Sequence, residues 1–304
     1  MICIDYQAGA HGNFLEFVCN VAANVKVQGT PFNHHGASHS KRYYSSPVFT
    51  ANHYSFLKIP LTASQVIAIK ISPDDLLPLS QVSLLRAGDY GYDNNELEVN
   101  TYNKLNNINY RWVLDNILNS FFTNQIKDSY NAVKDSTWPD ITTFQDFQNL
   151  PKVIRKECLD VHRLELFELT ESYPDCPRHI LREFFQIGFE RPDLHGFITQ
   201  QDQMRYDNNV DVYFFPFSEF YTDSFFNQIE MIAHWAKFKY TKQTQVAELH
   251  REFLSRQPYQ NSKIKCDQIV QQLINNEPIT LGINLMEEAY INATLRKNGH
   301  ECRY

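Results

Sequence analysis

MICIDYQAGAHGNFLEFVCN, residues 1–20, reads as a strand, a glycine-bearing turn and a helix in succession. Ile2, Cys3 and Ile4 form a short apolar run. Gly9 and Gly12 follow, three residues apart. Apolar residues then recur at Phe14, Leu15, Phe17, Val18 and Val21, the spacing that covers one face of a helix over residues 14–25. Such a turn lets backbone N–H groups face an anion, and the helix N-terminus adds partial positive charge. Asn13 stands where an N-cap belongs, and its side chain suits either the helix or a phosphate. The Lys-Ser/Thr pair that completes a nucleotide-hydrolysing P-loop is missing, which argues against an ATPase or a kinase. The same stretch also reads as a tight strand-to-helix turn with no ligand.

Working outward, residues 48–56 read as a short strand. "VIAIKI" (66–71) is a near-continuous β-branched run that suits a buried parallel strand. Ser72-Pro73-Asp74 gives a turn and a helix start, followed by the helix "DDLLPLSQVSLLRA". Residues 30–47 form a long polar loop rich in His, Ser and Tyr. Residues 100–148 carry a helical pattern that becomes loop-like around Trp138-Pro139. Helices are expected over 154–170, 177–189 and 224–238, and a strand over 210–215. The segment 246–297 reads as helical with breaks at Pro258 and Pro278. Strand–loop–helix units in succession imply an α/β fold, a parallel sheet flanked by helices. The expectation is a single α/β domain over 1–304, with a largely helical insertion at about 90–200 and a helical C-terminal region at about 246–304. Ligands in such sheets sit at the carboxyl ends of the strands. That groups residues 7–13, the residues after 48–56, and Ser72-Pro73 at one rim.

Composition narrows the function classes. Hydrophobic residues at 43 %, charged residues at 21 %, aromatics at 14 % and only 10 glycines favour compact folding over disorder. A net charge of −7 argues against broad nucleic-acid binding, while leaving room for one local basic pocket. No apolar run approaches membrane-spanning length and no charged-then-apolar leader follows Met1. A cytoplasmic protein with no membrane partner is therefore expected. Six scattered cysteines suggest free thiols. The abundance of Asn, Tyr and Phe fits an AT-rich genome such as a virus has, in which case the compartment is the host cytoplasm.

Three segments together resemble the P-loop sulfotransferases, which move a sulfuryl group from 3′-phosphoadenosine 5′-phosphosulfate. "AHGNFLEFV" is similar to the family's loop and helix start, with Gly12-Asn13-Phe14-Leu15 over the Gly-Thr-Thr/Ser ending. The family's loop lysine falls on Gly9 or Ala10 here, which leaves His11 as the nearby side chain. "VFTANHYSFLKIPLTASQVIAIKISPDDLLPLSQVSLL" resembles the strand that ends in the catalytic histidine, the next strand, and the Arg-x-Pro turn. His53 lies over that histidine and Ser72-Pro73 over the turn. Lys70 and Ser80 are the nearest matches to the 3′-phosphate ligands, each displaced by about one position. "DVYFFPFSEFYTDSFFNQIEMIAHWAKF" resembles the late strand, with Phe217-Ser218-Glu219-Phe220 as its turn. The three segments cover about half the chain, and nothing between about 86 and 196 has a match.

What the resemblance implies is transfer of the sulfuryl group to a hydroxyl or amine acceptor, a small molecule or a glycan, with no metal required. His53 would be the base, with His11 as the second catalytic candidate. Gly9, Ala10, His11, Gly12, Asn13 and Phe14 would hold the 5′-phosphosulfate. Lys70, Ser80 and Arg86 would face the 3′-phosphate, although Arg86 also suits a pairing with Asp89. Two other classes stay open: a nucleotide- or phosphate-binding protein without transferase activity, and a viral structural or interaction protein on the same fold. Cys158-x3-His162 and Cys176-x2-His179 have spacings that zinc can use, and equally suit buried thiols beside ordinary histidines. The cluster His34, His35 and His39 is an alternative base or weak metal site within a polar loop.

Overall fold

Strand β1 (Ile2–Tyr6) is buried along its whole length because it is central and covered on both faces. The computed structural model describes residues 2–6, 9–32, 43–53, 63–88, 108–191, 209–256 and 262–304. Helix α1 (Gly12–Ala22) follows β1. It begins two residues before the expected start, because the His11 carbonyl already accepts from Phe14 and Leu15 N–H. It ends early because Asn24 adopts a left-handed φ of 60° and Val25 N–H reaches back to the Asn20 carbonyl, a Schellman-type stop. The loop expected over 30–47 contains part of a small antiparallel hairpin, β2 (Val27–Gln28) with β3 (Tyr43–Tyr44). His34, His35 and His39 lie outside the described residues.

Strands β4 (Phe49–His53), β5 (Gln65–Lys70) and β6 (Asp211–Pro216) complete a four-stranded parallel sheet in the order β4-β1-β5-β6. The chain is therefore α/β, with a parallel sheet flanked by helices. Ile2, Ile4 and Tyr6 share one sheet face with Ile67, Ile69 and Phe215. That face packs on α1, on α9 (Phe225–Trp235) and on α10 (Gln243–Ser255) through Phe14, Leu15, Ile229, Ile232, Val246 and Phe253. Each such fully buried side chain contributes about 1.5–3 kcal/mol. Cys3 and Val66 point to the opposite face, packed with Ala63.

One buried amide fixes the edge of this sheet. Asn20 of α1 is fully buried. Its Nδ2 donates to the Glu16 and Phe49 carbonyls (3.0 and 2.9 Å), and its Oδ1 accepts from Val48 and Phe49 N–H (3.0 and 3.1 Å). Phe49 thus has its outward N–H and C=O satisfied by a side chain instead of by another strand. That closes an edge which would otherwise be open to pairing.

Contacts divide the chain into two compact units, Met1–Ser83 with Ile198–Lys265, and Leu84–Phe197 with Cys266–Tyr304. The chain passes between them three times: within α2 (Leu76–Gly88), at 197–198, which lies outside the described residues, and within α11 (Ser262–Ile274). The first unit holds the sheet. The second is helical among its described residues. It contains α3 (Tyr110–Phe121), a π-helical turn (Phe122–Ile126), α4 (Lys127–Val133), α5 (Phe144–Gln148), α6 (Lys152–Glu157), α7 (Val161–Ser172), α8 (Pro177–Glu190) and α12 (Leu285–Lys297). The helix expected over 154–170 is two helices. Asp160 accepts from Arg163 N–H (3.1 Å) and caps a new start after Cys158. In this unit Asn292 is also fully buried and holds Arg303 and Tyr304 through their backbone groups. No helix among the described residues is long and apolar enough to cross a membrane.

Candidate functional site

The sheet order puts β1 where the chain changes direction. The path goes from β1 to β4 on one side, then to β5 and β6 on the other. Such a reversal opens a crevice at the carboxyl end of the central strand, where ligands of open parallel sheets bind. Residues 9–13 follow β1 at that end. His53, the last residue of β4, is in register with Tyr6, the last residue of β1. The sheet therefore brings the loop and the His53 position to one rim. Ser72 is close after β5, where its N–H and hydroxyl both donate to Asp75 Oδ2 (2.7 and 2.8 Å). Burial raises the Asp75 carboxyl, and these hydrogen bonds oppose that rise. The Ser72-Pro73 turn thus has an internal cap for the short 3₁₀ turn Pro73–Asp75.

Both glycines of the loop have local reasons. Gly9 has φ 90°, which favours glycine. At Gly12 a Cβ would collide with the ring of Tyr6, so the tyrosine ring rests on the bare Cα. Between them Ala10 is fully buried, and His11 sits in the left-handed region at φ 56° and ψ 20°. Asn13 is buried as well.

His11 is enclosed by rings. It stacks on Phe217 (centroids 5.6 Å apart, 9° between planes) and meets Phe253 edge-on at 5.0 Å. Its Nε2 is 2.8 Å from the Tyr221 hydroxyl. Phe217 and Tyr221 belong to the 3₁₀ turn Phe217–Tyr221 that follows β6, and Phe253 belongs to α10. Phe14 is fully buried in the same cluster, stacked on Phe253 at 4.3 Å. His250 continues it, stacked on Phe225 with centroids 4.3 Å apart and 6° between planes, with Nε2–H donated to the Phe220 carbonyl (2.9 Å). Burial holds the His250 pKa below its ordinary value.

The remaining sequence-named residues are spread. Lys70 ends β5, exposed, on the face opposite to Tyr6 by strand parity. Ser80 is buried within α2. Arg86 is also on α2, with its side chain outside the described residues, as is that of His53. Two carboxylates that the sequence reading passed over are buried nearby in the chain: Asp5, one residue before the end of β1, and Glu16 in α1. Burial, with the Glu16 charge adding to it, pushes the Cys19 thiol far up, so that thiol stays protonated. Tyr6, Tyr221 and Phe253 were likewise missed. The only sequence signal for Tyr221 was the density of aromatics in "FFPFSEFY", and Phe253 had none.

In the helical unit, Cys158 is buried, its Sγ 3.2 Å from the Ile154 carbonyl, and His179 stacks on Tyr173 at 5.5 Å. No group of three or more His, Cys, Asp and Glu side chains among the described residues is placed to hold a metal ion. No protein-family model, curated protein or solved structure matches this chain.

Proposed function

We propose that the sheet unit is a nucleotide-binding transferase of the sulfotransferase type. 3′-Phosphoadenosine 5′-phosphosulfate would lie with its 5′-phosphosulfate against residues 9–14 and its 3′-phosphate toward Lys70 and Ser80. The acceptor hydroxyl would attack sulfur as the bond from sulfur to the bridging phosphate oxygen breaks. The acceptor proton passes to His53, and 3′-phosphoadenosine 5′-phosphate leaves. Histidine suits the base because its ordinary pKa is near neutrality. His11, enclosed by Phe217, Phe253 and Tyr221, acts in this reading by holding the loop in its left-handed bend. The observation that carries the proposal is the position of β1 at the chain reversal, with His53 one strand away in register with Tyr6. The partial positive charge at the amino end of α1, which begins at Gly12, suits an anion.

A second reading has observations of its own. Tyr6 occupies the room above Gly12, and the buried carboxylates Asp5 and Glu16 flank the loop in sequence while Lys70 is on the other face. These favour a fold that uses the loop as packing, in a binding or structural protein without transfer. Calorimetry separates the two. Micromolar binding of 3′-phosphoadenosine 5′-phosphate, at least tenfold tighter than ATP, supports the transferase. Equal binding of ATP supports phosphate binding without transfer, and no heat with either supports the packing role. His53→Ala is expected to keep the nucleotide affinity and lose sulfuryl transfer.

A further inference from the structure

The helical unit contains a cleft of about 560 Å³ that none of the sequence motifs touches. That volume lies within the roughly 300–1,000 Å³ range of ligand sites. Its floor is apolar: Leu114 and Leu118 of α3, Phe144 of α5 and Ile180 of α8, all buried. Its rim is polar. Arg111, Asp115 and Asn119 stand one turn apart along α3, so one helix face runs the length of the cleft. Across from them, Thr143 and Gln145 are exposed and Gln148 is half-buried.

The start of α5 is held rigidly. Thr143 Oγ1 accepts from Asp146 N–H (3.1 Å), and the Asp146 carboxylate accepts from Thr142 and Thr143 N–H (2.9 and 2.8 Å), which lowers its pKa to about 2. Arg111 is steadied by one hydrogen bond to the Pro174 carbonyl (2.9 Å). Arg111 and Asp115 do not bridge each other. The Asp115 carboxylate and the Asn119 carboxamide are exposed, and among the described residues neither side chain is hydrogen-bonded to another.

The geometry points to a peptide-binding site: a short extended segment whose apolar side chain enters the floor between Leu114, Leu118, Phe144 and Ile180. The carboxamide of Asn119 offers a donor and an acceptor, the pair that a peptide group requires; Gln145 and Gln148 each give one N–H to Asn149 Oδ1 and Thr170 Oγ1 (3.4 and 3.5 Å) and keep the second N–H and the carbonyl oxygen for a ligand. Arg111 and Asp115 select an acidic and a basic residue on the segment, in a fixed order along α3. A sugar is disfavoured, because a pyranose lies on an exposed aromatic face and the one ring here, Phe144, is buried. This proposal does not depend on the nucleotide reading of the sheet unit.

The test is panning of a random hexapeptide phage library on the full chain, repeated on the charge-exchanged variant Arg111→Asp/Asp115→Arg. All the exchanged atoms are on an exposed rim, and an unchanged melting temperature verifies the fold. The expected result is a consensus of one large apolar residue with an acid on one side and a base on the other, whose order reverses on the variant. Asn119→Trp, which fills the mouth, is expected to weaken the selected peptide at least tenfold. Failure to select a consensus, or a consensus indifferent to the exchange, overturns the proposal. So does binding of maltohexaose or chitohexaose that Asn119→Trp removes, which would make the cleft a glycan site.

Discussion

Residues 9–13 carry the pattern of an anion loop and lie buried among aromatic rings, whereas the cleft along α3 carries no motif and presents an unbridged acid and base to solvent. The contrast follows from what each backbone had to accommodate. After β1, two glycines and a left-handed His11 permit a bend sharp enough for Tyr6 to lie on Gly12, and the late 3₁₀ turn and α10 then close over the histidine. Along α3, the apolar positions Leu114 and Leu118 are buried, while the neighbouring Arg111, Asp115 and Asn119 remain exposed at the mouth of the cleft. A glycine motif therefore reports backbone freedom, and what fills that freedom is decided by residues far away in the chain.

Four changes sharpen or break this contrast. The largest effect is expected from Phe253→Ala, which removes the partner of both Phe14 and His11 and should destabilise the sheet unit by about 3–5 kcal/mol in urea unfolding. A loss below 1 kcal/mol would mean that the rings do not hold the loop. Asn20→Ala should cost about 3 kcal/mol, because Phe49 then keeps a buried N–H and C=O without partners. The same variant should also promote self-association through the uncovered β4 edge, measured by light scattering. Tyr221→Phe removes one hydrogen bond to His11 and should cost about 1 kcal/mol.

The smallest effect is the pH dependence of His250. Burial holds its folded pKa below the unfolded value, so the folded chain takes up this proton less readily than the unfolded one. Its stabilising contribution is complete above the ordinary histidine range, about pH 6.5, and falls as pH drops below it toward the folded pKa. His250→Gln should lose less stability than the native chain between about pH 8 and about pH 5. An identical loss would place the acid sensitivity elsewhere.

The elements that could be read early were those with strong local signals. β5 was legible from its β-branched run, α8 from Pro177 at its first turn, and the α/β class from the alternation of elements. The split between α6 and α7 was not, because Cys158-Leu159-Asp160 contains neither Gly nor Pro and the only stop is the Asp160 cap. At the candidate loop the glycines were visible, but the N-cap of α1 is His11 and not Asn13, which is the second residue of the helix. The enclosure of His11 was not visible, because its partners are more than two hundred residues away in sequence. The cleft assembles side chains from α3, α5, α7 and α8. No window of sequence contains it.

Backbone amide shifts bear most directly on the anion site. In a ¹⁵N-labelled chain titrated with 3′-phosphoadenosine 5′-phosphate, the N–H signals of Gly9, Ala10, His11, Gly12 and Asn13 should move together and saturate at micromolar ligand. If those five signals stay fixed while the nucleotide is in large excess, the loop after β1 is packing and the proposed transferase is wrong.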